Sequence, residues 1–232
     1  MRCLSLLSDD GFVIDISKKE MKEKHSFSAF DIVYFALPSF GGRCPSLAID
    51  RIRNMNGGGA KAVLIAVYGN RAYEDTLIEL FDTVKGCGFR VAAAVSAIAE
   101  HSMLRSIASG RPDNDDKARL LSFKERIDER LRTESELLSV PGIRPYKMIG
   151  KFLVPKASKE CIRCGRCYLS CPSGAIDELR PDITDSMKCI GCARCISICP
   201  VKARGYDESD VSKLKERILA MCEKRKEAEL FL

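Results

Sequence analysis

The sequence predicts an α/β protein in two unequal parts: an open parallel sheet flanked by helices, then a small α+β module built around metal. Three observations carry this. Four short Val/Ile/Ala-rich runs alternate with helix-like segments through the first 138 residues. Segment 139–158 holds three prolines and two glycines, so it reads as a connector. Eight of the twelve cysteines then crowd between Cys161 and Cys199. The expected boundaries are 1–138 for the sheet part, 139–154 for the connector, 155–206 for the cysteine module and 207–232 for a closing amphipathic helix.

In chain order, the opening MRCLSLLSDD has too short an apolar run for a signal sequence, and Leu4 and Leu7 read as the end of a helix. FVIDIS (12–17), DIVYFAL (31–37), AVLIAVYG (62–69) and FRVAAAVSAI (89–98) read as strands, being short, apolar and bounded by turn residues. Helices are expected near 46–55 and 72–86; in the second, Leu77, Leu80, Phe81 and Val84 follow the i, i+3, i+4, i+7 rule. A further helix spans about 115–138, capped by Asp113 or Asn114, with Leu120, Ile127 and Leu131 inward. From about 209, Val211, Leu214, Ile218 and Cys222 share one helix face, which makes Cys222 a small core residue rather than a ligand.

Composition narrows the function. The most apolar stretch, VAAAVSAIA (91–99), is half the length of a membrane span. A soluble, cytoplasmic protein is expected, and there thiols stay reduced, so the cysteines are not disulfide staples. The formal charge of +6 is spread among acids, as in KLKERILAMCEKRKEAE, with no one-signed stripe for nucleic acid.

CIRCGRCYLSCP (161–172) returns as CIGCARCISICP (189–200), 28 residues on, and each copy reads C-x2-C-x2-C-x3-C-P. A zinc ribbon would leave the third cysteine and the CP ending of each copy without a purpose. Over about 155–206 the stretch resembles the bacterial ferredoxin domain with two [4Fe–4S] clusters. In that family the fourth cysteine of each run ligates the other cluster. The resemblance therefore implies one cluster on Cys161, Cys164, Cys167 and Cys199, and a second on Cys189, Cys192, Cys195 and Cys171. Eight thiolates around two oxidised cores of about +2 each would bring the net charge from +6 to roughly +2. Gly165, Gly191 and Ala193 would let backbone N–H groups approach the sulfurs, while Ile162, Leu169, Ile190, Ile196 and Ile198 would exclude water. Arg163, Arg166, Lys188 and Arg194 decorate the loops as solvated charge.

In open α/β sheets ligands bind beyond the carboxyl ends of the strands. PSFGGRCP (38–45), YGNRAYED (68–75) and AEHS (99–102) each leave a strand there; His101 is expected to be hydrogen-bonded and half-buried. With these loops in that order ahead of the cysteine module, the chain resembles the flavodoxin–ferredoxin fusion proteins of anaerobic bacteria, from about residue 12 onward. The resemblance implies FMN, with Ser39, Phe40, Gly41, Gly42, Tyr68, Gly69, Asn70 and Tyr73 along the isoalloxazine. One departure is plain. A flavodoxin opens on a central strand and a Ser/Thr/Gly-rich phosphate loop, neither of which this sequence holds; NMNGGGAK (54–61) follows a helix and reads as a cap and turn. A sheet lacking that strand, between 12–17 and 31–37, is expected to leave two edges unpaired, as a chain truncated at its start would. Three readings follow: an electron carrier, an FMN-dependent reductase of a small acceptor fed by the clusters, and a ferredoxin whose first part is a flavin-less docking platform. The partners in keeping with these are a redox protein, a small electron acceptor or a second copy of the chain as a homodimer.

Overall fold

A computed structural model describes residues 3–8, 11–19, 24–150 and 152–232. Three parallel strands form the spine of its larger part: β1 (Ile32–Pro38), β2 (Lys61–Tyr68) and β3 (Arg90–Ile98), in the order β1-β2-β3. Their registers run Ile32 to Lys61 and Lys61 to Arg90, with a slip at Ala62/Val63. Both faces of the central strands are buried, which is why they read as continuous apolar runs rather than alternating ones.

Helices α1 (Ser46–Arg53) and α2 (Thr76–Gly86) cover one face. Ile49 and Ile52 of α1, with Leu77, Leu80 and Val84 of α2, meet Phe35, Leu64 and Val91 of the sheet. Helix α3 (Asn114–Leu131) covers the other face with Leu120, Phe123, Ile127 and Leu131, against Val63, Ile65 and Val95. Burying each such side chain contributes about 1.5–3 kcal/mol. Asp113 caps α3 in a reciprocal box with Asp116, and the helix ends at Leu131, seven residues short of the expected 138. A helical turn at Leu4–Leu6 tucks Cys3 and Leu7 under α3, where the opening residues were expected to be helical.

Two expectations fail. Residues 12–17 do not form a strand: Phe12 is 92% exposed, and among the described residues no partner strand lies beside them. A strand exists only when paired, and a short Val/Ile-rich run cannot supply the partner. The segment instead braces the two parts of the molecule. Ile16 O accepts from Arg51 of α1, Ser17 Oγ accepts from Arg194 Nη1 at 2.8 Å, and Lys19 Nζ stands 3.7 Å from the Tyr168 ring. Strand β1 is the sheet edge among the described residues, and most of it is exposed or half-exposed.

The chain end also differs from the single helix expected over 207–232. Helix α6 (Glu208–Cys222) stops, and β6 (Glu229–Phe231) adds antiparallel to β3 as the fourth strand. Asn70 fixes this return: its amide donates to the carbonyls of Cys222 and Lys224 and accepts from the Lys226 N–H. The tail is further held where Arg225 pairs with Asp113 and where Arg111 donates to Lys226 O. In this way α6 is pinned across the carboxyl edge of the sheet. No described helix is long and apolar enough to cross a membrane.

Candidate metal centre

The second part is small: a two-stranded ribbon, β4 (Lys156–Ala157) with β5 (Arg204–Gly205), and two single-turn helices, α4 (Arg166–Leu169) and α5 (Arg194–Ser197). The sequence repeat is also a structural one. Positions 28 apart share the left-handed conformation: Arg163 and Gly191 (φ 52° and 68°), Gly165 and Ala193 (75° and 57°), Gly174 and Lys202 (63° and 54°). Each copy thus needs three left-handed residues but spends glycine on only some of them, and a non-glycine there costs about 1–2 kcal/mol. The Ala175 N–H donates to Cys171 Sγ at 3.3 Å, and the matching Ala203 N–H donates to Cys199 Sγ at 3.2 Å.

The eight cysteines line two separate cavities. One is walled by Cys161, Cys164, Cys167 and Cys199; the other by Cys171, Cys189, Cys192 and Cys195. Each cavity thus takes three cysteines from one copy of the repeat and one from the other. None of the twelve cysteines is in a disulfide. Burial pushes the thiols of Cys189 and Cys192 up, and that of Cys195 to about 11. Binding a metal requires these thiols to give up their protons.

Residues 154–200 match the 4Fe-4S dicluster domain. No curated protein and no solved structure matches the chain. The dicluster domain accounts for about a fifth of the chain and for all eight clustered cysteines, and it makes this part an iron–sulfur electron-transfer module.

The residues around the cavities fit clusters. Two buried donors have no partner among the described residues: Arg204 Nε, which belongs to a wall of the first cavity, and Tyr206 OH, whose proton is held on by burial and by Cys195, Cys189 and Cys192. Unmet donors beside sulfur ligands are the groups that hydrogen-bond a cluster and raise its potential. Arg204 escaped the sequence reading, although the repeat itself marks it: its mate 28 residues earlier is Ile176, buried and apolar.

The two cavities differ in their surroundings. On the first, Cys164 is exposed and Ile162 and Leu169 are 62% and 69% exposed, so these two side chains do not shield it as expected. The second is turned toward the sheet part. A Cβ on Gly191 would stand 2.6 Å from Phe152 Cγ, and one on Gly41 would stand 3.9 Å from Phe152 Cε1. Phe152 is thus wedged between a cluster loop and the loop after β1, and its ring meets Phe40 edge-on at 6.4 Å between centroids.

Beyond that wedge lies a cavity of about 360 Å³ at the carboxyl edge of the sheet. Its walls include Ser39, Phe40, Gly41, Phe152 and Gly191, with Arg71 and His101 on one side and Lys213 and Arg217 of α6 on the other. Of the residues expected along a flavin ring, only Ser39, Phe40 and Gly41 line it. Tyr68 and Tyr73 line a separate acidic groove, where Tyr73 OH donates to Glu229 at 2.9 Å. Gly42 is covered by Glu74 and Gly69 by His101, and the Asn70 side chain is spent on the tail. His101 is hydrogen-bonded and largely buried, as expected: its Nδ1 accepts from the N–H groups of Met103 and Leu104 at 3.3 and 3.1 Å. That leaves Nε2 as the protonated nitrogen of the neutral ring.

Proposed function

We propose that the chain is an electron carrier with two [4Fe–4S] clusters, one in each cysteine cavity, and that it belongs to the flavodoxin–ferredoxin fusion type. The observation that carries the count is the sorting of eight cysteines into two cavities of four, each completed by the distant fourth cysteine of the other copy. When bound, such clusters accept and release single electrons. The protein supplies ligands, N–H···S hydrogen bonds, burial and distance, and the exposed rim at Cys164 offers a contact for a redox protein. The test is an anaerobic reductive titration. Uptake of about two electrons per chain with loss of the cluster absorption supports the reading, and uptake of none removes it.

A second reading is favoured by the cavity behind Phe152. It has the size of a small-molecule site, aromatic rings at the cluster end and cations on Arg71, Lys213 and Arg217, with Asp210 as the one acid among the described residues on its wall. An FMN or a comparable aromatic, anionic acceptor suits it, with the α6 cations in the place of the phosphate loop that the sequence lacks. Adding FMN and riboflavin to the anaerobic protein and following flavin fluorescence separates the cases. Tighter binding of FMN supports this reading, equal binding removes the role of the cations, and no binding leaves a docking domain without flavin.

A further inference from the structure

Arg204 is 4% exposed, and among the described residues no carboxylate pairs with it. Burying an unpaired cation costs several kcal/mol, so something negative must answer it. Its neutral contacts do not: Nη1 donates to Pro181 O, and Nη2 donates to Thr184 Oγ1 and, at 3.4 Å, to Pro155 O. The remaining contacts point to sulfur. Nη1 stands 3.7 Å from Cys167 Sγ, a ligand of the first cavity, and Nε has no partner. On the other side Arg204 lies close to Cys195 of the second cavity.

The repeat shows that the fold does not need a charge here. Ile176 holds the matching place in the first copy, 3% exposed and apolar, and its backbone bridges to Thr184 much as Arg204 pairs with Ala157. An isoleucine therefore serves the packing, and the arginine adds a cation to it.

We infer that Arg204 is a shared counter-charge, set between the two clusters, that raises the reduction potential of both. It rests on the two-cluster reading above. An added electron takes a cluster and its four thiolates from about −2 to about −3, and a cation in a low-dielectric site stabilises the more negative form. Exposed cations at Arg163 and Arg166 are screened by water and do so far less.

The experiment is an anaerobic EPR-monitored redox titration of the full chain, with iron and sulfide counted on every sample. In Arg204→Gln both midpoints are expected to shift to more negative values. In Arg204→Lys, which keeps the charge and loses the fork that stitches three acceptors, both midpoints stay near the parent values while the protein loses its clusters at lower temperature. Arg163→Gln moves neither midpoint by a comparable amount. Unchanged midpoints in loaded Arg204→Gln overturn the inference, as does a shift at one cluster alone or an equal shift in Arg204→Lys. If Arg204→Gln fails to load, loading of Arg204→Lys at parent potentials supports the charge, and failure of both shows that the stitching alone matters. A parent protein with a single four-iron signal would instead remove the two-cluster reading, which its iron count would show first.

Discussion

The two cysteine cavities are made by the same twelve-residue pattern and are not equivalent. The first sits at the surface, with Cys164, Ile162 and Leu169 exposed. The second is screened by Phe152 and backed by the sheet part. Duplication repeats the cysteines, but the neighbours decide which cavity lies at the surface and which faces inward. The result is an order, from the outer rim to the inner cavity and the site behind it, that neither repeat contains alone.

The comparison breaks most sharply at the fourth cysteines. Cys171→Ser, though it lies in the first repeat, is expected to empty the second cavity, and Cys199→Ser to empty the first; iron analysis should show about half the parent content in each. Loss of the cluster of its own repeat would contradict the exchange. Next in size is the screen. Phe152→Ala opens a gap between Gly41 and Gly191 and is expected to cost about 2–3 kcal/mol, below the range for a fully buried phenylalanine because Phe152 is half-buried. Air bleaching should then speed up for the inner cluster and not for the outer one. Gly191→Ala, whose Cβ would meet the same ring, should do likewise.

Smaller effects sharpen the picture of the inner site. Burial and the nearby Arg71 hold the His101 pKa below its ordinary value, so the folded state favours the neutral ring. The stability His101 contributes is thus present above about pH 6.5 and fades as the pH falls through its lowered value. Protonation ends the two bonds from Met103 and Leu104 and loosens that wall; proton NMR of the two histidines should show one of them titrating below the normal range. The smallest change expected is relief of backbone strain. Arg163→Gly, at φ 52°, should stabilise the outer loop by at most about 1 kcal/mol, read as a slightly higher temperature of cluster loss.

Much of this was legible in the sequence where the signal is local. The strands 62–69 and 89–98 announce themselves because both faces are buried, and 31–37 does so as a short apolar run at the sheet edge; the grouping of the sulfurs is what the ferredoxin resemblance implies. What escaped depends on distant partners. FVIDIS has the residues of a strand but, among the described residues, no strand to pair with. ELF at 229–231 has too few residues to signal a strand and becomes one because Asn70 turns the chain back onto β3. Asn70 was expected along the isoalloxazine only through the flavodoxin resemblance, and its side chain holds the tail instead. Phe152 lay in a proline-rich connector, where an aromatic carries no periodic signal at all.

The most direct measurement is the content of iron and acid-labile sulfide in one anaerobic preparation, with zinc measured alongside. Two clusters in two cavities require about eight iron and eight sulfide per chain. About four of each, or zinc in place of iron, would contradict the assignment of the cysteines to two clusters.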